Sequence, residues 1–310
     1  MKELYILFFQ MAVMILLGVI LRKKRIIDER TQGTLSDILL KAVLPFTIIS
    51  SSQFTYSGEM VRSMAAVACC SAIYYVVSLL ALRTVTKGMK FDEQEKRVFI
   101  TTSVFANTGF VGFPLMYGLF GDSGLLLASI YNLCYNLFFY TYGVLLISGK
   151  KGSIKDILFN PVSLASIAAV VLFIVPWRMP GFVKDTIDLV GNMTVPLSMI
   201  ILGSTFATVD IRKLFADAKS YVVAVLRLLV FPLLMLLALI VANRFITVLP
   251  TTMITLVIMT ALPSGAMNVI YSERFNCAPK FCARTVVMTL LFMAVTLPVL
   301  IAMCVRFLLG

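Results

Sequence analysis

VFANTGFVGFPLMYGLFG, residues 104–121, lies in a run whose hydropathy alone predicts a membrane-spanning helix. Yet Asn107, Thr108, Gly109, Gly112 and Pro114 sit near its middle. Inside a bilayer no water satisfies an exposed N–H or C=O, so helix breakers there are penalised unless protein or a watery cavity receives the opened backbone. The stretch therefore predicts a helix that is interrupted for a purpose, and the interruption is the expected working part.

The rest of the chain supports a membrane setting. Of 310 residues, 60% are hydrophobic and only 14% charged, more apolar surface than a soluble domain buries. The first apolar run, 4–21, lacks a basic leader and is followed by Arg22-Lys23-Lys24-Arg25, so a retained helix is expected rather than a cleaved signal. The net charge of +12 does not call for nucleic acid, because the cations lie between apolar runs. The absence of histidine excludes His-ligated haem, HExxH zinc and Ser-His proteolysis. The six cysteines (69, 70, 134, 277, 282, 304) have no metal-site spacing. No phosphate-binding loop occurs either. The expectation is no enzyme, no metal and no cofactor.

Ten apolar segments are long enough to span: 4–21, 33–53, 60–82, 97–119, 123–148, 157–176, 185–206, 219–242, 251–272 and 283–308. With the N-terminus outside, inner loops hold nineteen Lys and Arg, including Lys150, Lys151, Lys155, Arg212 and Lys213, against six in outer segments. This bias predicts a multi-pass protein of the cell membrane with both termini outside.

The halves also resemble one another. LSDILLKAVLPFTII (35–49) slides onto TIDLVGNMTVPLSMI (186–200), matching Asp37 to Asp188 and Pro45 to Pro196. Two five-span halves must be inverted, which predicts an all-α 5+5 inverted repeat of the kind used by alternating-access carriers. In the equivalent place to FANTG, the ninth span carries TALPSGAMN (260–268). Pro263 removes a backbone donor, and Gly265 tolerates non-helical angles. Two interrupted helices, the fourth and the ninth, crossing at mid-membrane bring half-helix N-termini together, a setting suited to an anion. Asn107, Thr108 and Ser264 would add side-chain donors. The competing reading, that Pro and Gly merely kink packed helices, fits one such helix better than two.

These same stretches carry a resemblance. NTGFVGFPLMYG is similar to the fourth-span signature of the auxin efflux carrier family, which includes the PIN-type carriers of plants. ALPSGAMNVIYSERFN (261–276) resembles its ninth-span motif, and LRLLVFP (226–232) keeps an Arg–Pro pair of its eighth. The resemblance implies scaffold spans in 1–58 and 150–210 and a mobile core in 59–149 and 211–310. It also implies carriage of small organic anions, often as a homodimer through the scaffold helices. Two departures stand out. Ala106 occupies the place of a usual proline, and Glu59 with Arg62 replaces a differently spaced acidic–basic pair entering the third span, so no coupling role carries over.

Four ionisable residues in spans are candidates for coupling or gating. Asp37 and Lys41 share a helix face and suit either a gate or a structural ion pair; Asp188 is the repeat partner of Asp37. Arg227 suits either attraction of an anion or capping of a neighbouring helix end. Asn132 and Asn136 share a face in the fifth span and, with Asn268, are expected to line the cavity. Gly265 joins the substrate-binding set, and Gly109, Gly112, Pro114 and Pro263 shape the crossing. The expected function is secondary transport of a small carboxylate, outward by family analogy, with membrane lipid and a second copy of the chain as the other partners. The alternative is an anion-permeable channel or uniporter on the same scaffold. Sodium coupling is not expected without acidic residues at the crossing, whereas proton coupling through Asp37 or Asp188 stays open.

Overall fold

The computed structural model describes residues 2–53, 56–149, 159–175, 178–207, 217–245 and 248–308. Among the expected inner cations, Lys150, Lys151, Lys155, Arg212 and Lys213 lie outside the described residues, as do the span and domain boundaries at 150, 157, 176, 210 and 211. Every described element is helical: α1 Lys2–Lys23, α2 Glu29–Ile38, α3 Leu44–Ser50, α4 Gly58–Val85, α5 Glu93–Val104, α6 Phe113–Phe138, α7 Val144–Ser148, α8 Pro161–Ile174, α9 Gly181–Gly191, α10 Thr194–Phe206, α11 Ala218–Val225, α12 Phe231–Ala242, α13 Pro250–Ala261, α14 Ala266–Arg274 and α15 Pro279–Leu308. An isolated bridge, Ala106 to Ser264, is the extended pairing among them.

Six of the described helical runs are long and apolar enough to cross a membrane: Glu29–Ser50, Gly58–Gly88, Thr108–Ser148, Gly181–Phe206, Ala218–Ala242 and Pro279–Cys304. Pro161–Ile174 and Pro250–Ala261 are apolar but shorter. The ninth expected span, 251–272, is cut where Leu262 leaves the helical region, so its first part stands as a shorter apolar helix. The fourth, 97–119, is cut after Val104, and its remainder runs on into the fifth. That long run is itself interrupted at Gly121, whose φ of 59° and ψ of −142° are open to glycine alone.

Wide π turns mark where proline disturbs the helices. Leu39–Val43, Thr108–Gly112 and Leu226–Val230 each end two residues before a proline, Pro45, Pro114 and Pro232 respectively. Proline withdraws a donor and crowds the carbonyl four residues earlier, and widening the turn relieves that clash.

The chain forms two compact units, Met1–Met60 with Gly109–Ile130 and Leu158–Asp210, and Val61–Thr108 with Tyr131–Ile157 and Ile211–Gly310. In the first, α3 and α9 run antiparallel: Ser50 Oγ donates to Asp188, and Thr47 Oγ1 lies 2.6 Å from Thr194 Oγ1. Further along, Gln32 Nε2 donates to Thr205 Oγ1 at 3.1 Å, and Ser204 Oγ donates to Gln32 Oε1 at 2.8 Å, so the antiparallel register extends through α2 and α10. Outside this pair, α1 packs on α10 and α8 packs on α3. Gly18 and Gly203 let α1 and α10 meet backbone to backbone, because a Cβ at either would run into the carbonyl of Ile200 or Ile15.

The second unit holds its core around the interrupted helices α5 and α13, packed on α15. Val98–Val104 and Thr252–Ala261 are continuously buried, as expected of helices enclosed by others. Near its polar end the Cys277 thiol is buried, and burial pushes its pKa up, which keeps it unreactive.

Candidate functional site at a helix crossing

Two helices break off side by side within the second unit. α5 stops at Val104 and α13 at Ala261, each passing into extended backbone. The two extended segments then pair antiparallel about Ala106 and Ser264. Asn107 N–H donates to Pro263 O at 2.8 Å, and Gly265 N–H donates to Phe105 O at 2.9 Å. This pairing supplies the partners that leaving the helix takes away, which is how broken backbone is tolerated at membrane depth.

Side chains stitch the pairing to its surroundings. Ser264 Oγ donates to Thr102 O at 2.7 Å, while Ser264 N–H donates to Thr289 Oγ1 at 3.0 Å. Asn268 Nδ2 donates to Phe105 O at 3.1 Å and to Gly265 O at 3.0 Å. Two carbonyl acceptors thus fix the orientation of that amide. Thr108 Oγ1 donates to Asn132 Oδ1 at 2.7 Å. The ring of Phe105 is enclosed by Tyr75, Tyr135 and Phe139, with centroids 5.8, 5.9 and 5.1 Å away. Each such aromatic pair adds about 0.5–1.5 kcal/mol beyond burial, so the first interruption is anchored without a proline.

The approach is too close for any side chain at residue 265. A Cβ there would lie 2.7 Å from the Ala106 carbonyl oxygen. Gly265 has ordinary backbone angles (φ −72°, ψ 143°), so it is glycine for space rather than for conformation.

Charge is distributed unevenly over the crossing. Arg227, in the π turn ahead of Pro232, is fully buried. Its Nε donates to Leu262 O at 2.8 Å, and its Nη1 donates to Ser103 O at 3.0 Å, Val104 O at 2.6 Å and Tyr74 Oη at 3.0 Å. Arg227 caps the carbonyl ends of both α5 and α13, one of the two roles open to it from the sequence. Those ends carry roughly half a negative charge each, so one guanidinium is close to neutralising the pair. The amide end of α14 has no side chain of this kind. The N-cap of α14, Gly265, makes no side-chain cap, and neither the first turn of α14 nor the turn Thr108–Gly112 holds an acidic residue.

Accessibility follows the same division. Phe105, Ala106, Thr108, Leu262, Pro263, Ser264 and Gly265 are buried, whereas Asn107 and the first residues of α14, Ala266 and Met267, are partly open. What the crossing presents outward is an amide side chain beside an uncapped helix N-terminus.

The second unit thus brings together Asn107, Thr108, Asn132, Pro263, Ser264, Gly265 and Asn268. Asn136 is buried one turn beyond Asn132 on α6. Gly109 and Gly112 lie in the turn Thr108–Gly112 and Pro114 in the first turn of α6, all three within the first unit. Asp37 and Lys41 form an exposed pair at 2.9 Å, and Lys184 Nζ donates to Asp188 at 2.5 Å; both pairs lie in the first unit. Sequence reasoning missed Thr102, Tyr74 and Thr289. Thr102 and Thr289 lie in apolar runs that give no hint of them, and Tyr74 follows from Arg227 only once the fold is known.

Comparison with known proteins agrees with this architecture. The model of a family described as membrane transport protein matches residues 4–158 and 150–301. The chain is 30% identical over 227 residues to an uncharacterized transporter of Methanothermobacter thermautotrophicus, covering 71% of this chain and 73% of that one. It is 22% identical over 295 residues to an uncharacterized transporter of Methanocaldococcus jannaschii, covering 90% of this chain and 92% of the relative. With nearly its whole length matched by one family, the chain belongs to the membrane transport proteins of the auxin efflux carrier family.

Proposed function

We propose that the protein is a secondary carrier of small organic anions, with a carboxylate held at the amide side of the crossing. The observation that carries this reading is the division of charge: a buried guanidinium on the carbonyl ends, and an open, uncapped helix N-terminus beside Asn107. Helix N-termini with free N–H groups favour anions, and an amide donor adds direction. Thr108, Asn132, Ser264, Gly265 and Asn268 hold the shape of the site in this state, and Asn136 extends the polar lining. Auxin-like monocarboxylates and dicarboxylates such as malate or malonate are the substrate class.

The cycle is an alternating exposure of the crossing to the two sides of the cell membrane, with the core expected from the sequence moving against the scaffold. Ten spans in a 5+5 inverted repeat are supported by the reciprocal packing of α1 on α10 and of α8 on α3, and by the bridge joining equivalent points of the two halves. Family analogy supports export, both termini outside, and a homodimer through scaffold helices.

Counterflow in proteoliposomes tests the reading. Labelled carboxylate should enter vesicles preloaded with the same unlabelled anion and saturate with concentration. Asn107→Ala should abolish that exchange while folding as the wild type does. Unsaturable conductance without exchange would favour the channel alternative, and wild-type flux in Asn107→Ala would refute the site.

A further inference from the structure

A second concave site lies wholly within the second unit, away from the crossing. It is a cavity of about 410 Å³ where the end of α4 meets the start of α5 and the end of α7. Four cations, Arg83, Lys87, Lys96 and Arg97, line it against a single carboxylate, Glu93. Lys96 Nζ is engaged with Glu93 at 2.8 Å, and Arg83 Nη1 donates to Tyr142 Oη at 3.3 Å. Among the described residues Arg83, Lys87 and Arg97 take part in no ion pair, so the cavity keeps an excess of about three positive charges. Such an excess in a concavity at a helix end suits a phosphate-bearing group.

The remaining wall separates a lipid from a soluble phosphate. Ile100, Leu145 and Leu146 form an apolar side to the cavity. Leading to it along α4, Ile73, Val77 and Leu80 are 61%, 58% and 61% exposed. Their spacing continues through Thr84 to Lys87 on one helical face. Gly58–Gly88 is a candidate membrane span, so this stripe runs along acyl chains and delivers them to the cations. A soluble phosphate would use the charges alone, whereas a phospholipid uses the charges and the stripe together. We infer that this cavity binds the head group of an anionic phospholipid, with its acyl chains lying on the α4 stripe.

The inference stands apart from the carboxylate reading, and either can fail alone. The full chain, purified in a neutral detergent, is titrated with phosphatidylglycerol and with phosphatidylcholine, and bound lipid is counted by native mass spectrometry. Phosphatidylglycerol should bind at least about tenfold more tightly, and Lys87→Gln or Arg97→Gln should each weaken it about fivefold, as expected for one cation near a lipid surface. Both side chains are exposed, so folding should be kept. Lys90→Gln, exposed nearby but outside the cavity, should change nothing. Equal binding of the two lipids, or an equal loss from Lys90→Gln, would overturn the site. Displacement of the lipid by millimolar glycerol phosphate or inorganic phosphate would overturn the lipid and leave a soluble phosphate ligand.

Discussion

The two sides of the crossing are built from the same two helix breaks and are finished in opposite ways. On the carbonyl side the exposed carbonyls are met from within: Arg227 is buried on Ser103, Val104 and Leu262, with Tyr74 beside it, though its Nη2 has no partner among the described residues. On the amide side, α14 starts without a side-chain cap and Asn107 is partly open. A protein that needed only to stabilise two broken helices would be expected to cap both sides. The start of α14, left without a side-chain cap, suits the proposed anion site, because a bound anion would meet its amides.

Substitutions can break this contrast, and the largest effect is expected on the closed side. Arg227→Leu leaves the carbonyls of Ser103 and Leu262 without their donor, Val104 O keeping only the Tyr74 hydroxyl, and should cost roughly 2–6 kcal/mol. A melting curve in detergent would read this as loss of the folded protein. Next comes Gly265→Ala, whose added methyl meets the Ala106 carbonyl at 2.7 Å. Forcing the segments apart should cost about 1–3 kcal/mol, and transport should fall further than stability does, because Asn107 is displaced together with the bridge.

Thr108→Val removes the bond to Asn132 and should cost about 1 kcal/mol, seen as a small drop in melting temperature with transport reduced rather than lost. The smallest effect is expected far from the crossing. Asp37 and Lys41 are both largely exposed, so Asp37→Asn should shift stability by less than about 1 kcal/mol. If that variant nevertheless stops proton-dependent uptake, Asp37 acts in coupling and the contrast drawn here is incomplete.

How much of this is legible in the sequence depends on the range of the interaction. The interruptions at FANTG and LPSG can be read directly, because Asn, Gly and Pro inside apolar runs have few other uses there. Three of the π turns are foreshadowed by Pro45, Pro114 and Pro232, whereas Phe139–Gly143 has no proline to mark it. The membrane character follows from composition and the family from short motifs. The capping role of Arg227 is not legible, since its partners are backbone carbonyls contributed by α5 and α13, and no residue type marks a carbonyl. The same holds for Ser264, whose hydroxyl turns inward to Thr102. Among the described residues the fourth and ninth expected spans are not single long helices, because a hydropathy window averages across breaks that the backbone does not.

The central claim is that the amide side of the crossing receives a negative charge. Its most direct test compares the melting temperature of the purified protein with a carboxylate such as malonate or indole acetate and with the matching uncharged amide, since a ligand stabilises the state that binds it. A rise with the carboxylate, none with the amide, and none with either in Asn107→Ala is the predicted result. An equal rise with the uncharged amide, or a carboxylate response unchanged in Asn107→Ala, would contradict it.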